Sequence, residues 1–378
     1  MTTTSELREL CAQKLLQSSD RAAQLTAFVG LDGFVDEILH AVDKRMDAHN
    51  YEPIPTIARL AERLAEAADK STNIELVNQL TKLGGNGPIM ANALARFGLR
   101  VTYLGSLGYP HLHPVFDEFA TRAEVHSIAE PGHTDALEFE DGKIMLGKHT
   151  SLKDVNWANI LGRFGSERFA AKFEGSDLVA FVNWTMLPHM SDIWESLQAE
   201  LCPRLKANRR RIFFDLCDPE KRTAADTSRA LDLILRFEKH FDVILGLNEK
   251  EANEAAEVLG LSHKAHNTEA LSSLARELAA KLPVSTIVIH PVSYALAITG
   301  AAVDVVKGPY VSKPKITTGA GDHFNAGFCL GKLLGFDNAM SLLTGVTTSG
   351  YYVRTATSPS IPELAELLRK WPGKQVHS

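Results

Sequence analysis

The sequence predicts an α/β protein, with a mostly parallel central sheet, helices on both of its faces and a small second sheet at its side. Three patterns carry that expectation. Between residues 178 and 259 short apolar runs alternate with longer amphipathic stretches, the order that builds parallel strands joined by helices. Residues 136–146, A-L-E-F-E-D-G-K-I-M-L, alternate apolar and polar around Asp141-Gly142. That is a hairpin signal, and inside a strand-helix chain it marks an accessory sheet able to serve as a lid. Residues 316–328, I-T-T-G-A-G-D-H-F-N-A-G-F, put two glycines and an aspartate at the start of an apolar helix.

A length of 378 residues, 45% of them hydrophobic, suffices for one large core or two modest ones. The formal net charge is -6 and no long basic run occurs, so nucleic acid is not an expected partner. The densest basic cluster, Arg209, Arg210 and Arg211, precedes an apolar run at 212–216 and reads as the solvated entry to a strand. Cys11, Cys202, Cys217 and Cys329 are scattered, with neither a C-x-x-C pair nor metal-ligand spacing. No apolar run reaches the roughly 18 residues of a membrane helix, and the first residues lack the apolar stretch of a signal peptide. A reducing, cytoplasmic setting is expected, with no membrane partner.

In chain order, residues 5–24 read as an amphipathic helix ahead of the main fold. The apolar run at 25–31 is the first strand, and it ends in Gly30-Leu31-Asp32-Gly33 followed by Phe34-Val35-Asp36-Glu37. Open α/β sheets bind ligands at the C-terminal ends of their strands, which makes Asp32 and Asp36 candidates. Ile57, Leu60, Leu64 and Ala68 predict a solvated helix over 56–69. Residues 83–98, L-G-G-N-G-P-I-M-A-N-A-L-A-R-F-G, run a glycine turn into an Ala-rich helix. Gly84, Gly85 and Gly87 can expose backbone groups there, and Asn86 both donates and accepts, which suits vicinal sugar hydroxyls. Extended pieces follow at 101–104 and 124–128. Beyond the hairpin, strands at 178–182, 211–216 and 243–247 alternate with helices at 192–206, 226–239 and 249–259, and helical patterns at 342–353 and 361–368 close the chain.

Two stretches carry the chemistry. Glycines at 319 and 321 let the backbone turn tightly, so that amides at the helix start face a phosphate with the helix dipole behind them. Asp322 would repel a resting phosphate, but it suits taking a proton from an attacking hydroxyl. At 247–251, L-N-E-K-E, Asn248 and Glu251 lie three apart after a strand. They suit holding water around a Mg²⁺ ion bound to nucleotide phosphates, and they equally suit the N-cap and third position of a helix.

The strand-end aspartate, the G-G-N-G turn, the hairpin, the N-x-x-E and the C-terminal G-A-G-D, in that order, resemble the ribokinase-like carbohydrate kinases of the PfkB family over roughly residues 25–371. The resemblance implies a three-layer sandwich with a β-sheet lid drawn from parts of about 33–83 and 124–152, preceded by a helical extension over 1–24 and followed by a tail over 372–378. It implies ATP-dependent phosphorylation of a sugar hydroxyl. Asp322 then matches the general base, Gly319, Ala320 and Gly321 the anion hole, and Asn248 with Glu251 the magnesium and phosphate motif. Asp36 or Asp32, with Gly85 and Asn86, matches the sugar grip. Thr317 and Thr318 adjoin the nucleotide, while Thr344, Gly345 and Ser349 are small enough to line an adenine slot. Relatives often pair through the lid, which points to a homodimer.

Three departures stand out. Ile316 replaces the aspartate that serves a monovalent-cation site in many relatives, which makes activation by such a cation doubtful. Ile89 stands where many have asparagine, with Asn92 one helical turn on. Residues 290–295, H-P-V-S-Y-A, lack the glycines of a nucleotide motif. Phe34, Phe139 and Met145 keep a nucleoside kinase of the same family open as an alternative. The altered motifs leave a catalytically weakened, ligand-binding regulator as another.

Overall fold

In the computed structural model residues 4–205, 210–261 and 264–372 are described. Arg209, Lys206 at the end of one expected helix, and the tail from 373 onward lie outside them. Along the chain the strands are β1 (Thr26–Leu31), β2 (Phe34–Arg45), β3 (Tyr51–Pro53), β4 (Leu76–Gly84), β5 (Arg100–Gly105), β6 (Glu124–Ser127) and β7 (Gly132–Phe139). They continue with β8 (Gly142–Lys148), β9 (Leu178–Phe181), β10 (Arg210–Asp215), β11 (Phe241–Leu247), β12 (Thr286–Ile289), β13 (Tyr294–Thr299) and β14 (Ala302–Lys307).

Nine strands make the large sheet, in the order β14-β13-β12-β11-β10-β9-β1-β5-β6. Every pair from β12 across to β6 is parallel, and the β13–β14 hairpin closes one edge antiparallel. Strands covered on both faces have no polar side to alternate with, which is why they read as unbroken apolar runs. Their side chains still alternate in space. Ile212 and Phe214 of β10 enter one core while Phe213 enters the other, and β11 and β12 divide in the same way.

The first core is covered by helices Ser166–Gly175, Met190–Glu200, Ala224–Phe237, Glu249–Val258 and Thr268–Lys281; the second by Ser5–Gln17, Asn86–Arg96, Ala320–Leu333, Asn338–Thr355 and Ile361–Lys370. The N-terminal helix is part of this packing. It buries Cys11, Ala12 and Leu15, and its Glu9 pairs with Arg369 of the last helix. All four cysteines are unbridged, and no helix among the described residues is long and apolar enough to cross a membrane.

The smaller sheet is built around β2, which pairs with β4 and β3 antiparallel and with β7 parallel, β8 lying beyond β7. Its own core joins Leu39, Ala41, Ile54 and Leu137 to Leu60 of the helix Ile57–Ala65. Asp141 of the hairpin turn accepts from the Ile57 amide at 2.8 Å, tying that helix to the hairpin. Because β6 pairs with β5 in the large sheet, the second part of the small sheet begins at Gly132. β4 escaped the sequence reading: as an edge strand with Asn78, Gln79, Leu80, Thr81 and Lys82 it shows no clean apolar alternation.

Phe214 is fully buried between Phe181, Trp194 and Phe237, whereas Leu80 is 55% exposed. Phe214→Ala should lower unfolding free energy by about 3–5 kcal/mol and Leu80→Ala by no more than about 0.5 kcal/mol, as read from urea denaturation. Equal losses would contradict the assignment of the core.

Candidate active site

The helix Ala320–Leu333 begins where Gly319 takes φ +92°, a conformation that glycine reaches without penalty. Thr317 O accepts from the Ala320 amide at 3.1 Å and Gly319 O from the His323 amide at 3.1 Å. The Ala320 amide is therefore spent on the turn, and among the described residues no hydrogen bond uses the amides of Gly319 or Gly321. Of the expected anion hole, the two glycines keep free donors and Ala320 does not.

Side chains clamp this turn from behind. His323 Nδ1 donates to Gly319 O at 2.7 Å, and its Nε2 meets Ser358 Oγ at 2.8 Å. A carbonyl can only accept, so the proton sits on Nδ1 and the serine hydroxyl donates to Nε2. Burial pushes the His323 pKa down to about 4, in keeping with a neutral ring. Tyr352 stacks on that ring with centroids 3.7 Å apart and donates from its hydroxyl to Thr318 O at 3.0 Å. Ile89, in the place of the expected asparagine, packs on Gly319, while Asn92 pairs with Ser358 and Arg122.

Asp322 lies one residue past Gly321 and is buried, with Oδ1 accepting from Asn86 Nδ2 at 2.9 Å. Burial drives its pKa up to about 8; the Asn86 bond opposes this, and the charges of Asp32 and Glu251 add to it. Asn86 comes from the other glycine turn, where Gly85 holds φ +95° at the N-cap of Asn86–Arg96. Two motifs 236 residues apart thus meet in one hydrogen bond.

The two aspartates after β1 separate. Asp32 Oδ2 accepts from the Asn86 amide at 2.9 Å and Asn183 Nδ2 at 2.7 Å, and Oδ1 from the Gly87 amide at 2.9 Å; the Tyr103 hydroxyl donates to Asp32 O at 2.5 Å, with Oδ1 at 3.3 Å. Burial raises its pKa to about 6 against the pull of these bonds. Asp32, expected with Asp36 as one of two candidates for the sugar, has both oxygens engaged by groups that fix the glycine turn. Asp36 stands on β2 opposite Thr134 and Lys82, with its carboxylate over Gly84. Burial raises its pKa, while Lys82 and a Thr134 hydrogen bond lower it. Burial, and then the charges of Asp322 and Asp36, raise the pKa of Tyr352 to about 12. Phe34 and Phe139 are taken up by packing, against His149 and the small core respectively, so the aromatic lid face a nucleoside would use is not formed by them.

At the end of β11, Asn248 Oδ1 accepts from the Glu251 amide at 2.9 Å and Glu251 Oε2 from the Asn248 amide at 2.8 Å, a full capping box. Glu251 Oε1 accepts from the Asp218 amide at 3.0 Å. Sequence reading missed Asp215, which ends β10 as Asp32 follows β1; the same strand-end rule applied to 211–216 would have found it. Asp215 is buried, accepts from Asn325 Nδ2 at 2.8 Å, and has its pKa pushed well up by burial and by the charges of Glu251 and Asp322. Converging carboxylates of this kind suit a hard divalent cation nearby. No group of three or more ligating side chains is assembled among the described residues. A cleft of about 760 Å³ opens beside Asn248 and His290.

Thr317 and Thr318 lie in the turn itself. Thr344 and Gly345, expected in an adenine slot, are helix-packing residues: Thr344 Oγ1 bonds Met340 O at 2.9 Å beside Cys11, and Gly345 lies under the Phe324 ring. Ser349 remains half-buried next to Gly350, which packs on Pro309. Ile316 is half-buried and brings no oxygen from its side chain to the turn.

The family model for prokaryotic ketohexokinase matches residues 2–371. A ketohexokinase from Haloferax volcanii is 30% identical over 364 residues, 96% of this chain and 95% of that one. Among solved structures, the ribokinase from Cryptococcus neoformans var. grubii in complex with ADP matches with a TM-score of 0.62 at 17% identity, over 90% of this chain and 99% of that one. The adenosine kinase from Sinorhizobium meliloti matches with a TM-score of 0.61 at 18% identity, over 92% and 98%. At such identities the solved structures bear on the fold, and the chain shares the large, mostly parallel sheet and separate small sheet of ribokinase-like proteins.

Between about pH 4, where a free aspartate ionises, and pH 8 the folded protein holds a proton on Asp322 that the unfolded chain has released. Stability therefore falls as pH rises through that window. Asp322→Asn should gain in melting temperature over the wild type as pH goes from 5 to 8. A difference that stays constant with pH would contradict the raised pKa.

Proposed function

The chain belongs to the prokaryotic ketohexokinase family, and on that premise we propose that it transfers the γ-phosphoryl group of ATP to a hydroxyl of a ketohexose. The observation that carries the reading is the 2.9 Å contact between Asn86 and Asp322. It sets an amide suited to sugar hydroxyls beside a buried carboxylate at a helix N-terminus.

The acceptor hydroxyl lies beside the contact of Asn86 with Asp322, and Asp322 takes its proton as the oxygen attacks phosphorus. The bond to the ADP oxygen breaks in line. A base with a pKa near 8 is stronger than an ordinary carboxylate and matched to a neutral working pH. The amides of Gly319 and Gly321 stabilise the charge on the transferring group, and the His323, Tyr352 and Ser358 clamp holds them aimed. Asp36, with Thr134 and Lys82 beside it on the lid, grips the sugar from above; closure of that sheet excludes water. Glu251, Asn248 and Asp215 would hold magnesium through water, and the ion there would neutralise phosphate charge. Ser349, Thr317 and Thr318 flank the nucleotide. Leu80 and Met145, 55% and 47% exposed on one face of the lid, support pairing of two copies there.

ADP release from Mg-ATP should be seen with ketohexoses such as fructose and tagatose, well above that with glucose, ribose or adenosine. Asp322→Asn should lose turnover by roughly 10²–10⁴-fold while still binding sugar. Saturable sugar binding without turnover across the panel, or an Asp322→Asn protein with full turnover, would overturn this function.

A further inference from the structure

His290 stands first in the stretch where the expected nucleotide-side glycines are missing. It follows β12 directly, and its amide donates to Leu247 O at 3.0 Å, extending the parallel ladder by one residue. Two contacts fix its side chain. The imidazole lies on Phe324 with centroids 4.8 Å apart and planes 36° apart. Its Cε1 stands 3.3 Å from where a Cβ on Gly321 would be. Both neighbours belong to the helix that carries Asp322. The ring therefore packs against the first turn of that helix, and it lines the cleft that also holds Asn248.

His290 keeps some exposure along the cleft, yet its Nε2 is shielded from solvent and has no hydrogen-bond partner among the described residues. A shielded polar nitrogen is destabilising while unpaired, and a ligand oxygen that pairs with it recovers that cost. Burial holds the pKa of the ring down at about 4, so at neutral pH it is uncharged and carries one N–H, which an oxygen ligand at Nε2 draws to that nitrogen. That state has a consequence for the base. A lysine or arginine here would favour the ionised form of Asp322 and weaken it as a proton acceptor, whereas a neutral imidazole does not.

Resting on the reading of the 319–321 turn as the phosphate site, we propose that His290 donates from Nε2–H to a phosphate oxygen of the bound nucleotide, beside the Gly321 amide. One side chain supplies the contact in a stretch that has no glycines to bring backbone amides close.

The test compares wild type with His290→Phe, which keeps a ring against Phe324 but has no N–H, and His290→Gln, which returns an N–H donor. Calorimetric titration with Mg-ADP and steady-state kinetics with ATP and fructose give the readouts. His290→Phe should weaken Mg-ADP binding and raise KM for ATP by roughly tenfold or more, leave KM for the sugar unchanged, and be partly rescued in His290→Gln. Should the phenylalanine variant not fold, His290→Leu is the second apolar replacement. Unchanged Mg-ADP affinity in a folded apolar variant would overturn the proposal, as would an equal loss of sugar and nucleotide affinity. Failure of the kinase reading itself looks different, because wild-type protein would then not bind Mg-ADP at all.

Discussion

A carboxylate held out of water at the start of a helix is the constraint around which this molecule is arranged. Asp322 is buried, and burial favours its protonated form strongly enough to lift its pKa to about 8. Most of the surrounding structure keeps that costly group in place. The helix Ala320–Leu333 is buried along nearly its whole length, which requires neighbours that approach closely; Gly327 against Thr348 and Gly331 against Ser341 provide that contact. Its first turn cannot shift, because His323, Ser358 and Tyr352 hold the carbonyls of Thr318 and Gly319.

Asp32 is the second fixed point. Hydrogen bonds from Asn86, Gly87 and Asn183 converge on its carboxylate and hold the turn that sets Asn86 at Asp322. The lid strands β2 and β4 meet the body beside this anchor, at the Phe34 and Gly84 pair. Movement of the small sheet would carry Asp36 and Lys82 while leaving Asp32, Asn86 and Asp322 behind. The division of labour follows from position: an aspartate at the strand end holds the turn, and one four residues later rides on the lid.

Much of this was legible in the chain. Regular apolar runs gave the parallel strands, since β10 and β11 are covered on both faces and tolerate no polar side. The Asp141-Gly142 turn gave the lid hairpin, and the glycines at 85 and 319 sit where positive φ demands them. What stayed hidden depends on tertiary neighbours. Asp32 and Asp36 look alike in sequence, and only Asn183 and Tyr103, distant in the chain, show which one is consumed. Thr344 and Gly345 are small for the sake of Cys11 and Phe324. Asp215 gives no local signal beyond its place at a strand end, and its significance comes from the charges of Glu251 and Asp322, which act on it. The capping box at Asn248 serves the helix and the cleft together, so sequence alone could not separate the two roles.

The most direct test is the pH dependence of kcat/KM for the ketohexose, which reports ionisation of the free enzyme. If the buried Asp322 is the base, kcat/KM should fall by one decade per pH unit below about pH 8 and level off above it. A profile flat from pH 6 to 9 would contradict the account, because a base already ionised across that range is not the carboxylate described.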